Sequence, residues 1–197
     1  FFLRESIKKN TNQDFHSNGF QTIRLNDKFF LPINFEQKHL VNPYLEKILL
    51  SENQIQKIIN IIFIENNIAN FLSELTSFKY NIDHITAYET KHIPNKFGNK
   101  KWYANHWHKD GPYSKNNIKL VIPLDDIEEN GGGIKIMNSK FSKSFSTATG
   151  SDKEFEPHLV FNSRAFKKML IFAPHLCLHK AGNPSVDITR KQLIIQL

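Results

Sequence analysis

The chain has 197 residues, of which 40% are hydrophobic and 23% charged, a composition that suits one globular domain and excludes a disordered chain. No apolar run approaches the roughly 18 residues of a membrane-spanning helix, and the single cysteine, Cys177, excludes a disulfide framework and a cysteine-based zinc site. The net charge of +7 rests on lysine, and with only four arginines a nucleic-acid partner is disfavoured, because readers of nucleic acid use arginine for bidentate contacts.

The first 79 residues are predicted to be extended and helical support for a later core. Residues 1–45 combine extended segments and turns, with Pro32 and Pro43 as breakers. Phe1 and the residues after it show no signal-peptide pattern, so we take the start as an internal or trimmed end. The cysteine usage fits a reducing, cytoplasmic location.

Two helices are predicted between residues 51 and 76. Ser51 can cap the first, and apolar residues follow it at helical spacing: Ile55, Ile58, Ile59 and Ile62. Asn66-Asn67 interrupts this pattern. The second helix carries its own apolar stripe: Ile68, Phe71, Leu72 and Leu75. We expect both stripes to pack against a sheet or core.

From Tyr80 the hydrophobic period changes to two, which is typical of β-strands. The first strand places Thr86 and Tyr88 on one face and Ala87 and Glu89 on the other. Five further strands are predicted: Lys119–Leu124, Gly133–Met137, Met169–Phe172, Leu176–His179 and Lys191–Leu197. Turns rather than helices separate them, so we predict a mainly β domain, an antiparallel sandwich or barrel behind N-terminal helices. The long polar stretch Ser139–Phe166 is either a lid or an insertion.

Candidate metal ligands lie in two histidine-containing segments. In an extended segment, residues i and i+2 point the same way, so His108 and Asp110 can present an imidazole and a carboxylate to one point. A distant third ligand, His179, would complete a face of two histidines and one carboxylate. Such a face holds Fe(II) with coordination positions left open.

Other readings of these segments stay open. His175 shares the period-two face of His179 and competes with it as the distal ligand. His106 and His108 together would suit a cupin-like metal site. Cys177 lies in an apolar segment, which favours a buried thiol over a nucleophile.

Arg190 follows His179 after eleven residues, and Gly182 and Pro184 lie between them. A turn there would bring the next strand back beside His179, with Arg190 facing the same cavity. Because a guanidinium can grip a carboxylate with two parallel hydrogen bonds, Arg190 could hold the far end of a dicarboxylate that chelates the metal.

Taken together, these motifs resemble the phytanoyl-CoA dioxygenase-like family of Fe(II)- and 2-oxoglutarate-dependent oxygenases. The resemblance covers roughly residues 80–197. The matching segments are Trp107-His108-x-Asp110, Lys119 to Asp126, Glu129-Asn130-Gly131-Gly132, Ser139-Lys140, and His179-x-Ala181-Gly182-Asn183-Pro184-Ser185 with Arg190.

The resemblance implies a double-stranded β-helix (jelly-roll, cupin-like) core in a single oxygenase domain, residues 1–197, with residues 80–197 as the catalytic core. It implies that His108, Asp110 and His179 bind Fe(II) and that Arg190 binds 2-oxoglutarate. With O2, such a site hydroxylates a C–H bond and releases succinate and CO2. Desaturating and ring-forming variants of the reaction stay open.

Two departures from the family pattern concern the ligands' neighbours. Lys109 stands where many relatives have Gln. Ala181 stands where many relatives carry a hydroxyl residue, so we look to Thr189 or Ser185 for that contact with 2-oxoglutarate.

Further candidates surround the predicted site. Tyr88 and Asn105 are candidates for hydrogen bonds to 2-oxoglutarate. Four aromatic residues either wall a substrate pocket or close the barrel end: Trp102, Tyr103, Trp107 and Tyr113. Arg164 is a candidate for an anionic substrate group.

The predicted substrate is a small molecule, and the positive charge leaves open both an anionic metabolite and a merely solvated lysine surface. A protein or nucleic-acid hydroxylase and a non-catalytic jelly-roll binding module remain alternatives. The oligomeric state is not predicted.

Overall fold

The computed structural model describes residues 12–26, 29–97, 100, 102, 104–111, 116–145, 155–163 and 167–197. Ten strands are present in this part of the chain: β1 Phe20–Arg24, β2 Lys38–Asn42, β3 Leu45–Ile48, β4 His84–Thr90, β5 Lys119–Pro123, β6 Ile134–Ile136, β7 Leu159–Phe161, β8 Lys168–Phe172, β9 His179–Lys180 and β10 Arg190–Gln196. They form a seven-stranded sheet, in the order β1-β8-β5-β10-β4-β3-β2, and a three-stranded sheet, in the order β7-β6-β9. All pairings are antiparallel, which confirms the predicted mainly β architecture.

The helices of the described residues are α1 Asn12–Asn18, α2 Glu52–Ile59, α3 Ile68–Thr76 and α4 Ser139–Ser142. A π-helical turn, Asn60–Glu65, continues α2. A 3-10 turn spans Asn95–Phe97. None of the helices in the described ranges has the length and apolar character that a bilayer crossing requires.

The two predicted helices, α2 and α3, are confirmed. Ser51 Oγ accepts a hydrogen bond from the Gln54 amide at 3.3 Å, and Gln54 Oε1 accepts one from the Ser51 amide at 2.9 Å, so a capping box begins α2. Asn67, with φ +56°, adopts the left-handed conformation and separates the π-helical turn from α3. Both apolar stripes contribute buried residues to the core on the large sheet, among them Ile58 and Leu72.

Residues on β10 alternate between two cores. Leu193 and Ile195 pack with the buried residues of α2 and α3 on the outer face of the large sheet. Ile194 packs on the inner face, where Val121 and Phe172 meet Ile136 of the small sheet. Because side chains alternate along a strand, Arg190 and Gln192 share the inner face with Ile194. The interior between the two sheets is therefore where β10 presents its polar residues.

The N-terminal part contributes more to the sheet than predicted. α1 lies in a region read only as extended segments and turns. β1 pairs with β8 at one edge of the large sheet, and β3 pairs with β4 at the other, so strands from the first 79 residues flank the core.

One prediction about the C-terminal part was wrong in detail. Leu176–His179 is not a strand, because residues 174–176 form a turn in which the Leu176 and Cys177 amides both donate to Ala173 O. Only His179–Lys180 is extended. The stretch Ser139–Phe166, predicted to be a lid or an insertion, includes α4 and β7 among its described residues.

Candidate metal centre

Three predicted ligands meet at one point. One ligand atom each of His108, Asp110 and His179 lies within 4.8 Å of the others. Asp110 Oδ1 is 3.5 Å from His108 Nε2 and 3.7 Å from His179 Nε2. These separations suit one ion bound by all three, because metal–ligand bonds of about 2.1 Å at right angles place neighbouring ligand atoms roughly 3 Å apart.

The backbone brings the ligands together. His108 and His179 form an isolated antiparallel bridge, in which each amide donates to the other residue's carbonyl at 3.0 and 2.9 Å. The Asp110 amide donates to Pro174 O at 3.1 Å, so the segment carrying the first two ligands is tied to the turn before His179. The ring centroids of the two histidines are 4.3 Å apart. This backbone pairing holds the two ligand segments side by side.

Each histidine is held in the tautomer that metal binding needs. His108 Nδ1 lies 2.7 Å from His106 O, and His179 Nδ1 lies 3.0 Å from Cys177 O. A carbonyl oxygen can only accept a hydrogen bond, so both Nδ1 atoms carry the proton. Both Nε2 atoms are then the ones available to a metal, and both lie near Asp110 Oδ1. This donor set fits Fe(II).

The protonation states at the centre suit metal binding. Burial, and then the neighbouring His108, lower the pKa of the His179 imidazole to about 3, so the ring is neutral at pH 7. Burial acts to raise the pKa of the Asp110 carboxyl, but His179 and Lys119 act to lower it and prevail. With His179 uncharged at pH 7, Lys119 supplies the positive charge that keeps Asp110 ionised.

Sequence reasoning did not single out Lys119. Its ammonium group forms an ion pair with Asp110 Oδ2. It is the first residue of β5, where Val121, two residues on, packs on the inner face. Leu120 and Ile122 both face the outer core. Because side chains alternate along a strand, Lys119 faces the interior between the sheets, and this alternation was the feature of the sequence that could have identified it.

Arg190 is buried on the inner face of the large sheet and donates from Nη1 to Gly182 O at 3.1 Å. The sequence analysis predicted that the strand carrying Arg190 returns beside His179. In the structure, β10 does not pair with β9, the strand of His179. It pairs with β4 and β5 in the facing sheet. Arg190 is therefore linked to the segment after His179 across the interior.

Two glycine-containing turns pack backbone to backbone beside Arg190. Gly132 has φ +70°, and a Cβ on it would lie 2.5 Å from Pro184 N. A Cβ on Gly182 would lie 2.4 Å from Gly133 O. No side chain fits at either position, which explains the glycines in both motifs.

Of the comparisons with known proteins, the one with solved structures bears on the fold. No protein-family model matches the chain, and no curated protein matches it. Among solved structures, it is similar to HygX from Streptomyces hygroscopicus with nickel, 2-oxoglutarate and hygromycin B bound, at 8% identity and a TM-score of 0.67 over 96% of this chain and 86% of that one. It is also similar to SnoN, a non-heme alpha ketoglutarate dependent epimerase of nogalamycin biosynthesis, at 12% identity and a TM-score of 0.63 over 94% and 80% of the two chains.

A third similar structure is SnoK, a non-heme alpha ketoglutarate dependent carbocyclase, at 12% identity and a TM-score of 0.61 over 98% of this chain and 84% of that one. The chain has the double-stranded β-helix fold of the Fe(II)- and 2-oxoglutarate-dependent oxygenases. The predicted fold class is therefore confirmed.

Within this fold, the other residues predicted to contact 2-oxoglutarate lie in different places. Tyr88 lies on the inner face of β4, directly opposite Gln192. Thr189 and Ser185 are exposed. Ser185 and Asn105 line a cavity of about 370 Å³, and none of the three ligands lines it. Asn105 also closes a local turn, accepting from the Trp102 amide at 3.2 Å.

The two predicted pocket aromatics within the described residues, Trp102 and Trp107, pack in different places. Trp102 packs edge-on against Tyr44, with ring centroids 5.0 Å apart. Trp107 is buried in a separate cluster with Met137 and Leu178, so it acts as a core residue. The remaining candidates, Tyr103, Tyr113 and Arg164, lie outside the described residues.

The described residues contain one group of side chains that could hold a metal, formed by His108, Asp110 and His179. They therefore give no support to the alternative metal sites. His175 lies in the turn before the site and His106 is not part of the group. Cys177 is buried, and burial raises the pKa of its thiol to about 12, which fits the predicted inert thiol.

Lys109, the departure between the first two ligands, has a structural role. Its ammonium group donates to Ser142 O and, at 3.1 Å, to Phe145 O. These carbonyls lie at and beyond the C-terminal end of α4, where a cation stabilises the exposed acceptors. Lys109 therefore ties the ligand segment to α4.

Proposed function

We propose that the protein is a non-haem Fe(II)- and 2-oxoglutarate-dependent oxygenase that hydroxylates a C–H bond of a small metabolite and releases succinate and CO2. One observation carries the proposal. Two imidazole Nε2 atoms and one carboxylate oxygen converge at a single point, and each histidine Nδ1 is satisfied by a backbone carbonyl. Three protein ligands of this kind leave coordination positions open for a chelating co-substrate and oxygen.

The chain's own residues have distinct tasks in this proposal. His108, Asp110 and His179 would hold the iron, and neutral His179 needs to lose no proton to do so. Arg190, buried and positioned by Gly182 O, would pair with the far carboxylate of 2-oxoglutarate. Bound iron with 2-oxoglutarate supplies the activation of oxygen. Tyr88 and Gln192, on the same inner face as Arg190, would complete the polar side of that pocket.

A small-molecule substrate is supported by the similar structures. HygX was solved with hygromycin B bound and SnoN with nogalamycin RO. The similar proteins include an epimerase and a carbocyclase. The mass of the product would therefore be needed to tell these reactions from hydroxylation. Hydroxylation adds one oxygen atom, ring formation or desaturation removes two hydrogens, and epimerisation leaves the composition unchanged.

We also infer that residues 1–197 act as one oxygenase domain, with residues 80–197 as the catalytic core. The pairing of β1 with β8 and of β3 with β4 supports this, because neither edge of the large sheet is complete without the N-terminal strands.

Anaerobic titration with Fe(II) and 2-oxoglutarate tests the assignment through the visible charge-transfer band of the chelate. We expect the band in the wild-type protein and in His175→Ala, the matched control, and its loss in His179→Ala. Absence of the band from the wild type, or an unchanged band in His179→Ala, refutes the proposal. Succinate release across a metabolite panel then identifies the substrate, and a band without turnover on any compound would favour a binding module.

A further inference from the structure

The two oxygens of Asp110 have different environments. Oδ1 faces both histidine Nε2 atoms, at 3.5 and 3.7 Å. Oδ2 forms an ion pair with the Lys119 ammonium group. A carboxylate can bind a metal through one oxygen or through both. Here one oxygen is directed at the metal point and the other is held by a cation.

Lys119 is positioned for this contact by the sheet. It begins β5 between β10 and β8, where its backbone partners are Gln196 and Phe172. Phe172 in turn packs edge-on against the His179 ring, with centroids 4.9 Å apart. The Lys119 side chain is only 19% exposed, so the ion pair is shielded from water on most sides. Shielding strengthens the attraction and makes loss of either partner costly.

We propose that Lys119 is a positioning residue that holds Asp110 to a single metal-facing oxygen and thereby keeps three coordination positions open. The inference rests on the proposed oxygenase function. An octahedral ion held by two histidines and one carboxylate oxygen has three positions left, of which a 2-oxoglutarate chelate takes two and oxygen one. A carboxylate bound through both oxygens would occupy one of these three.

Replacing Lys119 therefore affects the two binding steps differently. Without the ammonium group, Asp110 Oδ2 is free to turn to the metal, so the metal itself stays bound. 2-Oxoglutarate must then displace that oxygen before it can chelate. Substitution of residues that support metal ligands commonly costs about 10- to 100-fold in affinity or activity, and here we expect the loss in the second step.

The experiment uses Co(II) as the probe metal and isothermal titration calorimetry, first with Co(II) alone and then with 2-oxoglutarate added to the Co(II)-loaded protein. In Lys119→Met we expect Co(II) affinity within about threefold of wild type or tighter, and 2-oxoglutarate affinity at least about tenfold weaker. In Lys119→Arg, which keeps the charge and the donors, we expect 2-oxoglutarate affinity within about threefold of wild type. Lys38→Met is the matched control, because Lys38 pairs with Glu89 at 2.7 Å in the same sheet.

Three results would overturn the proposal: unchanged 2-oxoglutarate affinity in Lys119→Met, loss of its Co(II) binding, or equal losses of 2-oxoglutarate affinity in the Met and Arg variants. A crystal structure of the Co(II)-loaded wild type tests the same point without any variant, and both Asp110 oxygens at bonding distance from the metal would also overturn it. Failure of the oxygenase proposal looks different, since the Co(II)-loaded wild type would then not bind 2-oxoglutarate at all.

Discussion

The close packing of the two glycine-containing turns makes Gly182→Ala a purely steric perturbation beside Arg190. A Cβ at Gly182 would lie 2.4 Å from Gly133 O and 2.7 Å from the carbonyl carbon of Gly132. Contacts of this kind do not fall below 3.0 Å, so the two backbones must separate by at least about 0.6 Å. The opposing atoms are main chain and cannot rotate away. Gly182 does not have positive φ, so the cost is steric and involves no backbone strain.

Forcing an extra carbon into a packed site typically costs about 1–3 kcal/mol. For a chain of this size, each kcal/mol lowers Tm by roughly 2–4 °C. Gly111→Ala is the control for adding a Cβ, because nothing lies within 4 Å of a Cβ there. We expect the control to stay within about 0.5 kcal/mol of wild type.

The measurement is urea and thermal unfolding of the metal-free protein, followed by circular dichroism, for wild type and both variants. A second readout is 2-oxoglutarate affinity in the Co(II)-loaded form, because Gly182 O accepts the hydrogen bond from Arg190. We expect Gly182→Ala to be less stable than Gly111→Ala and to bind 2-oxoglutarate more weakly. Equal stability of the two variants would refute the packing argument.

Four further predictions test individual residues. Arg190→Met should leave Co(II) affinity intact and weaken 2-oxoglutarate binding by about 10- to 100-fold, because a charge-assisted hydrogen bond is lost. If calorimetry gives the variant the same 2-oxoglutarate affinity as wild type, Arg190 does not bind 2-oxoglutarate. Lys109→Met removes a donor from two backbone carbonyls, so the free energy of unfolding in urea should fall by about 1 kcal/mol with Co(II) affinity unchanged. Cys177, with its thiol pKa raised to about 12, should resist iodoacetamide at pH 8 in the folded protein and react in urea, as mass spectrometry would show. Because the pKa of His179 is about 3 when folded and near 6.5 when unfolded, metal-free stability should fall as pH drops from 6.5 towards 3, at roughly 1.4 kcal/mol per pH unit; a flat urea midpoint between pH 7 and 5 would contradict this.

The metal ligands were predictable because their signal is local. His108 and Asp110 are two residues apart in an extended segment, so their relative direction follows from backbone geometry alone. His179 followed from the turn motif after it and its spacing from Arg190. The period-two pattern of His175, Cys177 and His179 was misleading, because the turn at residues 174–176 breaks the alternation that the pattern assumes.

Long-range pairing was harder to predict. β1, β2 and β3 are strands of four or five residues with weak alternation. The places of β1 and β3 in the sheet depend on partners far along the chain, β8 and β4. The contact of Lys119 with Asp110 depends in the same way on how β5 is placed beside the ligand segment. The sequence indicated that Lys119 points inwards, but not which side chain it would meet there.

Backbone hydrogen bonds fix the geometry of the ligands, and this has a consequence for how the protein responds to metal. The bridge between His108 and His179 is made by backbone hydrogen bonds, and both rings are oriented by carbonyls two residues earlier in the chain. Little ordering is then left for the metal to impose, so its binding energy adds to the stability of a folded protein. Metal should therefore raise Tm in a concentration-dependent way while the circular dichroism spectrum stays the same. A zinc-finger-like transition from unfolded to folded on adding Co(II) would show that the ligand geometry is not pre-formed.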